Sequence, residues 1–118
     1  PLNNYEAPAA FGIYALYHGR ETTIPVYVGK ATKNISQRLT QHLDKIAGRT
    51  GVSVEDMSCR YLVIAERGAV WVAAAAEAAL IQHFQPAWNG SGFGSKTPGV
   101  GRPGIRVSRW DRQFPPRA

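Results

Sequence analysis

Glu77 is the only charged residue between Gly68 and Gln82. At helical spacing it shares a face with Ala73, Leu80, Ile81 and Phe84, which puts a carboxylate on an apolar stripe. That placement costs free energy unless a cation, a hydrogen bond or a metal compensates. Glu77 therefore reads as a metal ligand or general acid/base at a cleft, or more plainly as a helix-edge residue reaching solvent. Arg38 and His42 lie four residues apart, a spacing that projects both side chains the same way from a helix. The guanidinium fork suits phosphate oxygens, and the imidazole can move a proton near neutral pH. The bland alternative is a solvated pair. Two short knots, Gly12-Ile13-Tyr14 and Tyr27-Val28-Gly29, set phenols beside glycines, with Lys30 directly after the second. A phenol has an ordinary pKa near about 10, so it serves as a base only beside cations. Packing a core is the commoner fate of strand tyrosines. Asn89, after Trp88, is either a turn residue or part of the same site.

These residues need elements to hold them. Residues 11–17, FGIYALY, have strand composition and end at the turn-prone His18-Gly19-Arg20. Residues 24–28, IPVYV, read as a second strand, with Pro25 near its start where a missing N–H does least harm. Together they form an antiparallel hairpin. Over residues 33–47, Ile35, Leu39, Leu43 and Ile46 line one helical face, with Thr32 or Asn34 as N-cap and Gly48 as the stop. Residues 49–58 read as a loop and 59–65, CRYLVIA, as a third strand. An alanine-rich helix spans 69–84, with Pro86 just beyond it. The order β-β-α-β-α predicts an α/β (α+β) fold, a small three-stranded, mainly antiparallel sheet flanked by helices. A tail rich in glycine and arginine follows: six of the twelve glycines lie in residues 90–104.

At 118 residues the chain has room for one modest core. The expected organisation is a catalytic core over 1–89 and a basic tail over 90–118, packed on the core or contacting nucleic acid within the same domain. Hydrophobic content of 44% and charged content of 19% exclude a disordered chain. A single cysteine, Cys59, excludes a disulfide framework and a cysteine-rich zinc site. The longest apolar run, residues 69–81, contains Glu77 and is too short to span a bilayer. No membrane partner is expected, and an intracellular, cytoplasmic setting is the natural reading. Charge is uneven. Residues 1–89 carry eight Lys/Arg against seven Asp/Glu, whereas residues 90–118 carry Lys96, Arg102, Arg106, Arg109, Arg112 and Arg117 against Asp111 alone. A basic tail on a near-neutral body suggests a polyanion.

In this order the pieces resemble the GIY-YIG nuclease superfamily. The resemblance runs from Gly12-Ile13-Tyr14 through Tyr27-Val28-Gly29, Arg38 on the first helix and Glu77 on the second, to Asn89 twelve residues later. The stretch EAALIQHFQPAWN fits the family's Glu-to-Asn segment. A narrower resemblance lies in Lys30, in His42 one turn past Arg38, and in the tail GFGSKTPGVGR followed by SRWD. These look like the compact type II restriction endonucleases that cut GC-rich palindromes such as CCGCGG.

The resemblance implies metal-dependent hydrolysis of phosphodiester bonds in double-stranded DNA. Glu77 would hold one Mg²⁺ per active site, with Mn²⁺ as a substitute, water and phosphate completing the shell. Arg38 would bind the non-bridging oxygens. Tyr14 would activate the attacking water, alone or as a phenolate favoured by Lys30, while Tyr27 and His42 orient the water or relay its proton. Which phenol is the base stays open. Asn89 would fix the end of the second helix. Lys96, Arg102, Arg106, Arg109 and Arg112 would contact DNA, arginine pairing with guanine edges, and a two-fold dimer would cut both strands. No small-molecule cofactor is expected. Two rival readings remain: a nuclease of the same superfamily with a repair, single-strand or modular role, and a non-catalytic basic nucleic-acid-binding module.

Overall fold

Strand β1, Gly12–His18, runs through the middle of the sheet, so both neighbours and both flanking helices take their positions from it. The structure, a computed structural model, describes residues 11–31, 34–64, 70–94 and 108–116. Along the chain come β1, β2 (Tyr27–Ala31), α1 (Ile35–Ile46), a 3₁₀ turn over Val54–Asp56, β3 (Met57–Val63), α2 (Val70–Phe84) and a short α3 (Arg109–Gln113). Strand order is β2-β1-β3 and both pairings are antiparallel, the α+β sheet expected from the sequence. No helix among the described residues is long and apolar enough to cross a membrane.

Register decides which side chains meet. Tyr14 pairs with Gly29 and Tyr61, Leu16 with Tyr27 and Cys59, and Ile13 with Lys30 and Leu62. Because side chains alternate along a strand, Tyr14, Leu16 and Tyr27 share one face. Ile13, Val28 and Lys30 share the other. Helix α1 covers the first face, burying Ile35, Leu39 and Ile46 with Leu16, Met57, Trp88, Phe93, Trp110 and Phe114. Each such side chain contributes about 1.5–3 kcal/mol by leaving water. Helix α2 covers the second face, where Ala73 packs with Phe11 and Ile13, and Leu80 lies alongside.

Several boundaries differ from the sequence expectation, each for a local reason. Strand β2 begins at Tyr27 rather than residue 24. The Glu21 carboxylate accepts from the Thr23 hydroxyl and from the Thr23 and Ile24 amides, holding those residues in a turn. Pro25 has no N–H to give the ladder. Strand β3 begins at Met57, inside the stretch expected as loop. Helix α1 starts where Asn34, not Thr32, caps it, its side chain accepting from the Gln37 amide at 2.9 Å.

The tail carries a short helix of its own. Helix α3 opens with a capping box in which Ser108 Oγ accepts from the Asp111 amide and Asp111 returns to the Ser108 amide. Asp111 also pairs with Arg49 at 2.9 Å. Trp110 and Phe114 enter the main core, so residues 108–116 pack on the body.

Candidate active site

The two knots are built around a phenol lying across a glycine. A Cβ on Gly29 would sit 2.5 Å from Tyr14 Cζ and Oη and 2.8 Å from Tyr27 Cε2. Only hydrogen at that position leaves room for both rings. Gly12 is equally constrained: a Cβ there would strike the Leu62 carbonyl oxygen and approach Ile35 Cδ1 to 2.9 Å. Glycine at the knots thus answers to close packing, against a neighbouring strand's backbone at Gly12 and against the two phenol rings at Gly29, rather than to turn geometry.

From that face Tyr14 reaches α1. Its Oη lies 2.5 Å from His42 Nε2, and both residues are almost fully buried. The Tyr27 ring completes the group, 6.3 Å from Tyr14 and 5.1 Å from His42. Burial, reinforced by the neighbouring Tyr27 phenol and by Glu77, pushes Tyr14 upward, against an opposing pull from Arg38. Tyr27 is likewise raised by burial against Arg38. The His42 imidazole is pushed down to about 3, by burial first and then by Arg38 and Lys45. At neutral pH the imidazole is uncharged and the Tyr14 phenol keeps its proton. The hydroxyl then donates to Nε2 in one histidine tautomer, or accepts from it in the other.

Arg38 lies half-buried beside both phenols. Its Nη1 donates to Gln41 Oε1 at 2.8 Å and its Nη2 to the Gly94 carbonyl at 2.6 Å. Arg38 is thus the cation that acts on Tyr14 and Tyr27. Lys30 does not fill the role expected of it. Paired with Ile13, it leaves the sheet on the α2 face, opposite the two phenols. Asn89 bonds neither helix nor phenol. Its Oδ1 accepts from the Val28 amide and its Nδ2 donates to the Val28 carbonyl, each at 2.9 Å. The side chain therefore mimics a neighbouring strand along the outer edge of β2, and the Trp88 amide continues the pattern at 2.8 Å to Val26 O.

Glu77 is partly exposed on α2, and its charge acts on both phenols. It forms no hydrogen bond or ion pair within the described residues. Nor do three or more His, Cys, Asp or Glu side chains gather anywhere among them. A lone, partly exposed carboxylate without a protein partner fits a hard divalent ion that keeps most of its water, and does not fit zinc, which wants several protein ligands. Of the tail residues expected to meet DNA, Arg109 and Arg112 are exposed on α3, Arg109 Nη2 donating to the Ala87 carbonyl at 3.2 Å. Lys96, Arg102 and Arg106 lie outside the described residues.

Sequence reasoning missed Phe93, which stacks on His42 at 4.7 Å, and Trp110 and Phe114 behind it. The recurrence of Trp88, Phe93, Trp110 and Phe114 through a stretch otherwise rich in Gly, Pro and Arg was the available signal.

Comparison with known proteins agrees with this fold. Residues 30–118 match the family model described as the Eco29kI GIY-YIG domain. No curated protein matches the chain. Among solved structures the chain is similar to the GIY-YIG N-terminal endonuclease domain of UvrC from Thermotoga maritima. One tyrosine-to-phenylalanine variant of that domain, bound to its catalytic divalent cation, is 27% identical over 70% of this chain and 86% of that one, with a TM-score of 0.50. A second such variant, also cation-bound, is 26% identical over the same shares, again at 0.50. The magnesium-bound form of the domain is 27% identical over the same shares, at 0.49.

Proposed function

The chain belongs to the GIY-YIG nuclease family, and we propose that it hydrolyses double-stranded DNA as a type II restriction endonuclease with a GC-rich palindromic site. The observation that carries the catalytic reading is the Tyr14–His42 bond of 2.5 Å, buried beside Arg38 and under the influence of Glu77.

Glu77 would hold one divalent cation, Mg²⁺ by the preference of a lone carboxylate, with Mn²⁺ as a substitute. Once bound, the ion would supply positive charge for the negative charge that develops on the phosphoryl oxygens and on the leaving oxygen. Arg38 binds a non-bridging oxygen with the N–H groups that Gln41 and Gly94 leave free, a charge-assisted bond that strengthens in the transition state. A protonated phenol cannot take the water's proton unless it gives up its own. Tyr14 therefore passes its hydroxyl proton to His42 Nε2 as its oxygen receives the proton of the attacking water. The neutral imidazole takes up that proton only in passing, since at about 3 it cannot keep it at neutral pH, and no phenolate need form. Tyr27 orients the water from the same face. Asn89 acts by holding β2, and Lys30 meets the substrate from the α2 side.

Lys96, Arg102, Arg106, Arg109 and Arg112 contact the duplex, arginine reading guanine in the major groove, and two copies related by a two-fold axis cut the two strands. The Eco29kI family match favours this restriction role. The likeness to the N-terminal endonuclease domain of UvrC favours a second reading, the catalytic part of a modular endonuclease. Sequencing the ends of plasmid cut in Mg²⁺ separates them. Discrete fragments ending at one GC-rich palindrome are expected; random nicks, or cutting confined to single strands, would overturn the restriction role.

A further inference from the structure

One face of the His42 imidazole is covered by the Phe93 ring, with centroids 4.7 Å apart and planes 13° from parallel. The other aromatic neighbours meet His42 at steeper angles, Tyr27 at 65° and Tyr14 at 55°. Phe93 is fully buried and wedged between Trp88 at 4.8 Å, Trp110 at 5.1 Å and Tyr27 at 5.1 Å. Its backbone surroundings are tied to the site as well. Arg38 Nη2 donates to the Gly94 carbonyl at 2.6 Å, Lys45 Nζ to the Gly92 carbonyl at 2.7 Å, and the Trp110 amide to the Ser91 carbonyl at 2.9 Å. A Cβ on Gly94 would collide with Tyr27 Oη, so this segment lies directly over the phenol.

From these contacts we infer that Phe93 is a positioning residue for the Tyr14–His42 pair: its stacked ring fixes the imidazole plane so that Nε2 faces Tyr14 Oη, and seals that face from water. The inference rests on the proton relay proposed above. Phe93 need not touch substrate; it acts through His42.

The sealed face bears on proton affinity. The ionisable groups facing His42 are Arg38 and Lys45 from its own helix, Tyr14 from β1 and Tyr27 from β2; the segment over residues 91–94 brings none. The dry surroundings first, and then the two cations, hold the imidazole down at about 3. A gap at Phe93 would admit water and let His42 return toward the ordinary histidine value of about 6.5.

The first readout needs no variant. In the unaltered protein the carbon-bound ring protons of His42 should resonate upfield of free histidine, in the ring current of Phe93, and titrate well below pH 6. Unshifted resonances titrating like free histidine would overturn the inference. Phe93→Leu, which keeps an apolar filling but no ring, should raise the His42 midpoint by ~1 pH unit or more. The acid limb of kcat should move with it, with KM little changed. Phe114→Leu, in the same core but away from His42, should lower Tm without moving either. A wild-type midpoint and kcat profile in folded Phe93→Leu would refute the positioning role. Should Phe93→Leu not fold, the ring-current shift in the unaltered protein still decides. Shifted His42 resonances in a protein that cuts no DNA would sink the proposed reaction while leaving the stacking contact in place.

Discussion

Tyr14 Oη and His42 Nε2 lie 2.5 Å apart in the interior, though 28 residues separate them in sequence. A protonated phenol and an uncharged imidazole at this distance form a neutral pair across which one proton can move. In the proposed reaction the proton taken from the attacking water would pass inward across it, away from the phosphate.

The pair predicts a pH dependence with a definite sign. His42 is lowered to about 3 in the folded chain, whereas it titrates near about 6.5 unfolded. As pH falls through that window the unfolded chain takes up a proton that the native chain refuses. Stability should therefore fall with acidification between about pH 6.5 and 3, by up to ~1.4 kcal/mol per pH unit. Urea titrations at several pH values check this. His42→Gln should flatten the slope and lower kcat by roughly 10²–10⁴-fold; a slope retained in the variant would contradict the assignment.

Gly29→Ala places a methyl against the Tyr14 and Tyr27 rings, 2.5 and 2.8 Å from their nearest atoms. Overpacking of this kind costs roughly 1–3 kcal/mol, and the displaced Tyr14 should lose its bond to His42. Activity should fall more than the loss of Tm explains. Gly19→Ala is the contrast: its φ of 72° strains a side chain, but nothing lies within 4 Å. It should cost about 1 kcal/mol and spare activity.

Asn89→Ala removes both bonds to the Val28 backbone. The expected loss is roughly 1–3 kcal/mol, with faster hydrogen exchange at the Val28 amide. Asn89→Asp keeps an acceptor for that amide but turns an oxygen toward the Val28 carbonyl, so it should not rescue. Full rescue by Asp would mean that the clamp matters less than the charge.

Arg109 and Arg112 are exposed on α3. If they meet phosphates, replacing each by alanine should weaken binding to unrelated duplexes alike and reduce the salt slope by about one each. A change confined to one DNA sequence would instead indicate base contact.

How far the sequence reached is clearest residue by residue. Tyr14, Tyr27, Arg38, His42 and Glu77, which the fold brings near one another, could be singled out because each stands in a local pattern, a knot at a strand end or a polar residue on a helical stripe. The face on which Lys30 emerges was not. It depends on pairing with Ile13, and a shift of one residue reverses every side chain of a strand. Expecting β2 at residues 24–28 hid that register. Phe93, Trp110 and Phe114 were missed for another reason: glycine, proline and arginine dominate the tail, and its aromatics find their partners only through long-range contacts. Asn89 was expected to fix the end of the second helix; its side chain bonds the backbone of an edge strand instead, a long-range contact that local pattern does not disclose.

The most direct test of the central claim is plasmid cleavage in Mg²⁺ by the unaltered protein beside Glu77→Gln, each with and without chelator. Glutamine keeps the size of the side chain, and Glu77 has no protein partner among the described residues to lose. Folding should therefore be unchanged. Cleavage should require the metal and fall by at least roughly 10²-fold in the variant. Cutting that persists in chelator, or that Glu77→Gln leaves intact, would contradict it.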